Sequence, residues 1–144
     1  MIVIDVQNKD AVAVAFKVIQ EGGVIIYPTD TIYGFGADAT NDKAIDKLNN
    51  IKGRSGPISV LAPDQETALI WSNISNDEHE LIASKLKGQT TVIYPVKKGI
   101  VSQKIMGEDG SLGVRIPNNA FCYELAKLSQ NPITSSSVNR HGSP

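Results

Sequence analysis

The sequence predicts an α/β domain, and three observations predict it. Short apolar runs, at residues 24–27, 58–62 and 90–96, are bounded by Gly, Pro and polar residues and read as strands. Longer stretches between them place apolar residues at helical spacing behind capping side chains. Strands that alternate with helices build a sheet packed by helices. The 144 residues, 41% hydrophobic and 20% charged, suit one domain over 1–144 with a core of its own.

Taken in order, residues 1–6 read as a first strand. "NKDAVAVAFKVIQEGG" reads as a helix, capped by Asn8 or Asp10 and stopped at Gly22. The strand at 23–27 leads into a polar loop at 28–36. In "TNDKAIDKLNNIKG", Ala44, Ile45, Leu48 and Ile51 share one helix face behind Thr40 or Asn41. "ISVLA" is a strand, and "DQETALIW" and "NDEHELIASKLKG" are helices. "TTVIYPV" and "SLGVRIP" are strands, "GIVSQKIMG" is ambiguous, a helix surrounds Cys122, and "PITSSS" is the last strand.

Net charge is −1, so nothing in the bulk composition pulls the chain toward nucleic acid or a membrane, and an anion site has to come from local placement of its 14 basic residues. A single cysteine, Cys122, excludes an internal disulfide and fits a reducing compartment. Its helical setting favours a small buried hydrophobe over a nucleophile. No stretch approaches transmembrane length and no secretion signal opens the chain, so the expected location is cytoplasmic.

The loop "YPTDTIYGFGA" is the first candidate for chemistry. Pro28 fixes its own φ and holds Tyr27 extended. In an extended chain Thr29 and Thr31 point to one side and Asp30 to the other. Two adjacent hydroxyls can serve a small polar ligand, and Gly34 and Gly36 permit close backbone approach. The same residues also suit a tight turn capped by its threonines, and spacing does not separate the two.

"NIKGRSGP" places Lys52 and Arg54 in a turn, where alternation aims both the same way. A phosphate chain suits them, Lys as a point charge and Arg as a fork, at about 1.5–3 kcal/mol per charge-assisted bond. Two solvated surface cations are the plainer alternative. Arg115, inside an apolar strand, is either a salt-bridge partner or an anion clamp. Thr134, Ser135, Ser136, Ser137 and Asn139 gather where the last strand ends and suit a phosphate, a ribose or a turn. His79 and His141 are isolated, without metal-ligand spacing.

Together these stretches resemble the YrdC/Sua5 family of threonylcarbamoyl-AMP synthases. The order carries the resemblance: "GGVIIYPTDTIYGFGADA", "IKGR", "GQTTVIYP", "LGVRIPNN" and "PITSSSVNRHG", from about residue 10 to 144. It implies a YrdC/RibB-like fold, a twisted open mixed sheet flanked by helices with a concave, positively charged pocket. It also implies a reaction: L-threonine, bicarbonate and ATP give threonylcarbamoyl-AMP and pyrophosphate, for the t6A modification of tRNA. Mg²⁺ would accompany the ATP. On that resemblance Thr29, Thr31 and Arg115 bind threonine. Lys52 and Arg54 act at the ATP phosphates as catalytic and binding groups, and Ser111, Ser135, Ser137 and Asn139 meet the nucleotide. Partners implied are tRNA or double-stranded RNA and proteins of the same tRNA-modification pathway, with no membrane. The alternative is a non-catalytic double-stranded RNA- or nucleotide-binding module on the same fold, against which the net charge argues weakly.

The sequence departs from the family pattern at four places. "RSGP" after the basic pair is short, "LKGQTTVI" lacks a Pro-Gly-Pro, and Val138 replaces an alanine. Family domains also continue through another helix and a strand with a Ser-Thr pair that encloses threonine. That comparison leads us to expect detectable nucleotide binding, poor threonine binding and slow turnover unless a further segment or a partner completes the site.

Overall fold

Asn41, Asp64 and Asn119 each stand one residue before a helix and accept a hydrogen bond from a first-turn amide: Ala44 at 3.1 Å, Thr67 at 2.7 Å and Cys122 at 2.9 Å. Short polar side chains at that position satisfy amides that have no partner within the helix. The computed structural model describes residues 3–29, 33–87 and 90–137. Among them the order is α1 (Ala11–Gln20), β1 (Ile25–Pro28), β2 (Tyr33–Gly36), α2 (Asp42–Lys52), β3 (Ser59–Leu61), α3 (Gln65–Trp71), α4 (Asn76–Lys85), β4 (Val92–Pro95), β5 (Ser111–Arg115), α5 (Ala120–Leu128) and β6 (Ile133–Ser137). A short 3₁₀ turn, Gln103–Ile105, precedes β5.

The strands form one open sheet in the order β1-β2-β6-β3-β5-β4. β3 and β5 run parallel and the other neighbours antiparallel, so the sheet is mixed, as expected. Its two faces differ. Phe35, Val60, Val92, Tyr94, Leu112 and Val114 face one way and pack with Ala44, Ile45 and Leu48 of α2 and Ala68 of α3. On the opposite face Tyr27 and Leu61 pack against Cys122 and Ala126 of α5, while Ile133 meets Leu125 and Ile19 of α1.

Four local expectations need correction. Residues 3–6 form no strand, and Val3 lies in solvent. The stretch 28–36 is not all loop: Tyr33–Gly36 is a strand, held between β1 and β6 by their ladders despite two glycines. Ala44, Ile45 and Leu48 are fully buried, but Ile51 is 58% exposed, because the last turn of α2 runs past the core that Leu48 closes. Lys52 is the final residue of that helix rather than part of a turn, and Gly53, at φ +75°, ends it.

Candidate functional site

Strand alternation decides what lies on the α1/α5 face beyond those helices. Leu61 pairs with Arg115 and with Ile133, and this row is the one the helices cover. One step along, Ser59 pairs with Ser135, and Ser59 Oγ stands beside Gly113, 2.6 Å from where a Cβ would be. At the far end Ser137 pairs with Gly34, and Ser111 opens β5. Ser59, Ser111, Gly113, Arg115, Ser135 and Ser137 are all half-buried. A strip of sheet that would ordinarily carry large apolar residues therefore presents hydroxyls and bare backbone, with an arginine at its inner end. Such a floor can hydrogen-bond a polar ligand and leaves room for it to lie close to the strands.

Four of the predicted residues reach the same end of the sheet. Thr29 follows β1, Ser137 ends β6, and Ser111 begins β5; the segment carrying Arg54 feeds into β3 at Ser59. Thr29 is half-buried, and its methyl lies 3.1 Å from where a Cβ on Gly34 would stand. Lys52 falls one turn after Leu48, on the same side of α2, and is half-buried. Burial, reinforced by the nearby Arg54 charge, lowers its pKa from the ordinary lysine value. The two cations are therefore neighbours, though Gly53 rather than strand alternation sets their relation. Arg115 sits deeper, close enough to the Tyr27 hydroxyl for its charge to be felt there. Thr31 and Asn139 lie outside the described residues.

Thr134 and Ser136 belong to the other face. Thr134 is fully buried; its hydroxyl donates to the Phe35 carbonyl at 3.1 Å and accepts from the Ala37 amide at 2.9 Å. Cys122 is buried, with Sγ donating to the Pro28 carbonyl of β1 at 3.1 Å.

Tyr27 is a functional candidate that composition and spacing did not reveal. It lies on edge strand β1, yet its hydroxyl donates to the Thr134 carbonyl on β6, at 2.8 Å, across the whole width of β2. The crossing works because β2 places glycines underneath. A Cβ on Gly36 would stand 2.7 Å from the Tyr27 ring, and one on Gly34 would stand 3.6 Å from it. Gly34 and Gly36 thus seat an aromatic ring. The signal was present as two glycines spaced two apart, on one face of a strand, beside a buried tyrosine.

Two open grooves lie elsewhere, of about 470 Å³ along β4 and about 450 Å³ between α3 and α4. In the second, Ser72 Oγ donates to the Leu69 carbonyl at 2.6 Å and lies 3.3 Å from His79 Nε2. Neither groove contains a predicted site residue.

An open mixed sheet with helices packed on both faces defines an open α/β domain. The chain belongs to the Sua5/YciO/YrdC family, whose model, described as telomere recombination, matches residues 17–144. It is 29% identical over 136 residues to the threonylcarbamoyl-AMP synthase of Pyrococcus abyssi, covering 92% of this chain and 40% of that protein. A doubly substituted form of P. abyssi Sua5 superposes with a TM-score of 0.85 at 27% identity, over 100% of this chain and 43% of the other. P. abyssi Sua5 in complex with L-threonine superposes at 0.77, again 27% identical, over 89% and 38%. The chain thus spans about two fifths of the length of these relatives. Among the described residues, no helix is long and apolar enough to cross a membrane.

Proposed function

We propose that this chain is an ATP-dependent synthase domain that makes threonylcarbamoyl-AMP from L-threonine, bicarbonate and ATP for tRNA t6A modification. The observation that carries the proposal is the similarity to P. abyssi Sua5, a structure of which holds L-threonine, over 89% of this chain. The floor described above suits the chemistry. Threonine's amine and bicarbonate condense to a carbamate and water; a carbamate oxygen then attacks the α-phosphorus, and pyrophosphate leaves. Such a reaction needs alignment of the reactants and neutralised charge more than a reactive side chain.

In this reading Lys52 and Arg54 stand at the phosphates, and an arriving anion offsets the partial desolvation that Lys52 already bears. Ser111, Ser135 and Ser137 give hydroxyls to the nucleotide, with Asn139 beyond them. Thr29, Thr31 and Arg115 hold threonine, the guanidinium toward its carboxylate. Mg²⁺ enters with ATP as part of the substrate. Phosphate oxygens are its natural ligands in this reading.

The test is pyrophosphate release by these 144 residues, with threonine, bicarbonate and ATP omitted in turn. Release that requires all three is expected. Equal release without threonine overturns the synthase reading. RNA binding that falls steeply with salt, without any turnover, would replace it with the nucleic-acid module.

A further inference from the structure

Tyr27 ties β1 to β6 through one hydroxyl, across β2. Its O–H donates at 2.8 Å to the Thr134 carbonyl, which belongs to the peptide that leads into Ser135, and the Ser135 side chain is near enough to bear on the same oxygen. The ring cannot shift freely. It lies over Gly36 and Gly34, stacks at a tilt with Phe121 at 6.3 Å between centroids, and is 1% exposed. The backbone around it is arranged to permit the bond. The Ala37 amide, which faces β6, turns to the Thr134 hydroxyl rather than to the Thr134 carbonyl, and that carbonyl is left for Tyr27. Ser135 is the middle hydroxyl of the floor, opposite Ser59 and between the predicted nucleotide contact Ser137 and the helix-covered row.

We propose that Tyr27 is a positioning residue: anchored on the Thr134 carbonyl, its hydroxyl fixes the Thr134–Ser135 peptide and the line of β6 so that Ser135 and Ser137 present their hydroxyls to the nucleotide. The proposal rests on the nucleotide role given above to Ser135 and Ser137. Tyr27 itself touches no reactant; it acts through Ser135. The fixed geometry spares the ligand the cost of ordering that hydroxyl, which is how a supporting group outside the contact layer contributes to binding.

The experiment uses Tyr27→Phe, which keeps the ring on its glycine seat and removes only the oxygen. MgATP binding is measured by calorimetry, and the Ser135 and Ser137 amide resonances are followed by NMR without ligand. Phe121→Leu serves as the control, since it loosens the packing around the same ring but leaves the hydroxyl bond to Thr134. Tyr27→Phe should weaken MgATP binding about tenfold, the scale of one buried hydrogen-bond partner lost, and should move both resonances. Phe121→Leu should bind within about twofold of wild type. With Ser135→Ala already present, Tyr27→Phe should cost less affinity than it does alone, a non-additivity that general loosening would not give. The proposal is overturned by unchanged affinity and resonances in Tyr27→Phe, by an equal loss in Phe121→Leu, or by full additivity with Ser135→Ala. If wild type binds no MgATP, the functional reading falls. The amide resonances then decide the role of Tyr27 alone: moved, they support it, and unmoved, they overturn it.

Discussion

Gly36→Ala adds one methyl beneath Tyr27. The new carbon would stand 2.7 Å from Tyr27 Cε1 and 3.1 Å from both Tyr27 Cδ1 and Ile25 Cγ1. None of these neighbours gives way cheaply: the ring is buried, its hydroxyl is tied to Thr134, and Phe121 lies against it. Over-packing of this kind costs about 1–3 kcal/mol. Straining the hydroxyl bond adds about 0.5–1.5 kcal/mol. The stiffer unfolded chain returns about 0.4–1 kcal/mol. The net is a loss near ~2 kcal/mol, which in a domain of this size lowers the melting midpoint by roughly 4–8 °C. Urea titration followed by fluorescence and a parallel thermal melt measure it. Gly34→Ala should cost less, since its nearest neighbour is the methyl of half-buried Thr29 at 3.1 Å. A Gly36→Ala protein as stable as wild type would show that the ring does not rest on this glycine.

Lys52→Ala and Arg54→Ala should each weaken MgATP binding several-fold with little change in the melting midpoint, because cations at a helix end hold little of the fold; unchanged affinity in both, by calorimetry, returns the pair to ordinary surface charges. The lowered pKa of Lys52 gives this site a pH signature. Its protonated form is disfavoured in the native state, so Lys52 slightly opposes folding at neutral pH, and that opposition is relieved as pH rises through its depressed pKa toward the unfolded value of about 10.4. MgATP affinity should accordingly fall on the alkaline side before an ordinary lysine would titrate, and Lys52→Arg should flatten the fall in a pH series of titrations. Asn41→Ala removes the Oδ1 that accepts the Ala44 amide and should cost about 1 kcal/mol in a denaturant titration, without touching ligand affinity.

Much of this arrangement was legible because it is local. Asn41 ahead of an apolar stripe at Ala44, Ile45 and Leu48 announces a helix and its core face in one line of sequence. The serines of β6 and the two cations were likewise visible as residue types out of keeping with their surroundings. What escaped was decided by partners distant in the chain. Tyr33–Gly36 has poor strand propensity, and only the flanking ladders make it a strand. The same distance hid the purpose of its glycines: Tyr27 is close by in sequence, but its acceptor, Thr134, is 107 residues away. Ile51 misled for a simpler reason. Periodicity reports the direction a side chain takes around the helix, while burial also depends on whether the core extends that far along it.

The tyrosine bridge also changes how the outer strand behaves. An edge strand of four residues with a ladder on one side ordinarily frays ahead of the rest of its sheet. Here peeling β1 away requires withdrawing a ring from beneath α5 and releasing a carbonyl two strands over. Fraying of the edge is therefore coupled to the serine strand, which loses one of its holds when β1 leaves, and whatever steadies β6 from the ligand side also steadies the border of the sheet.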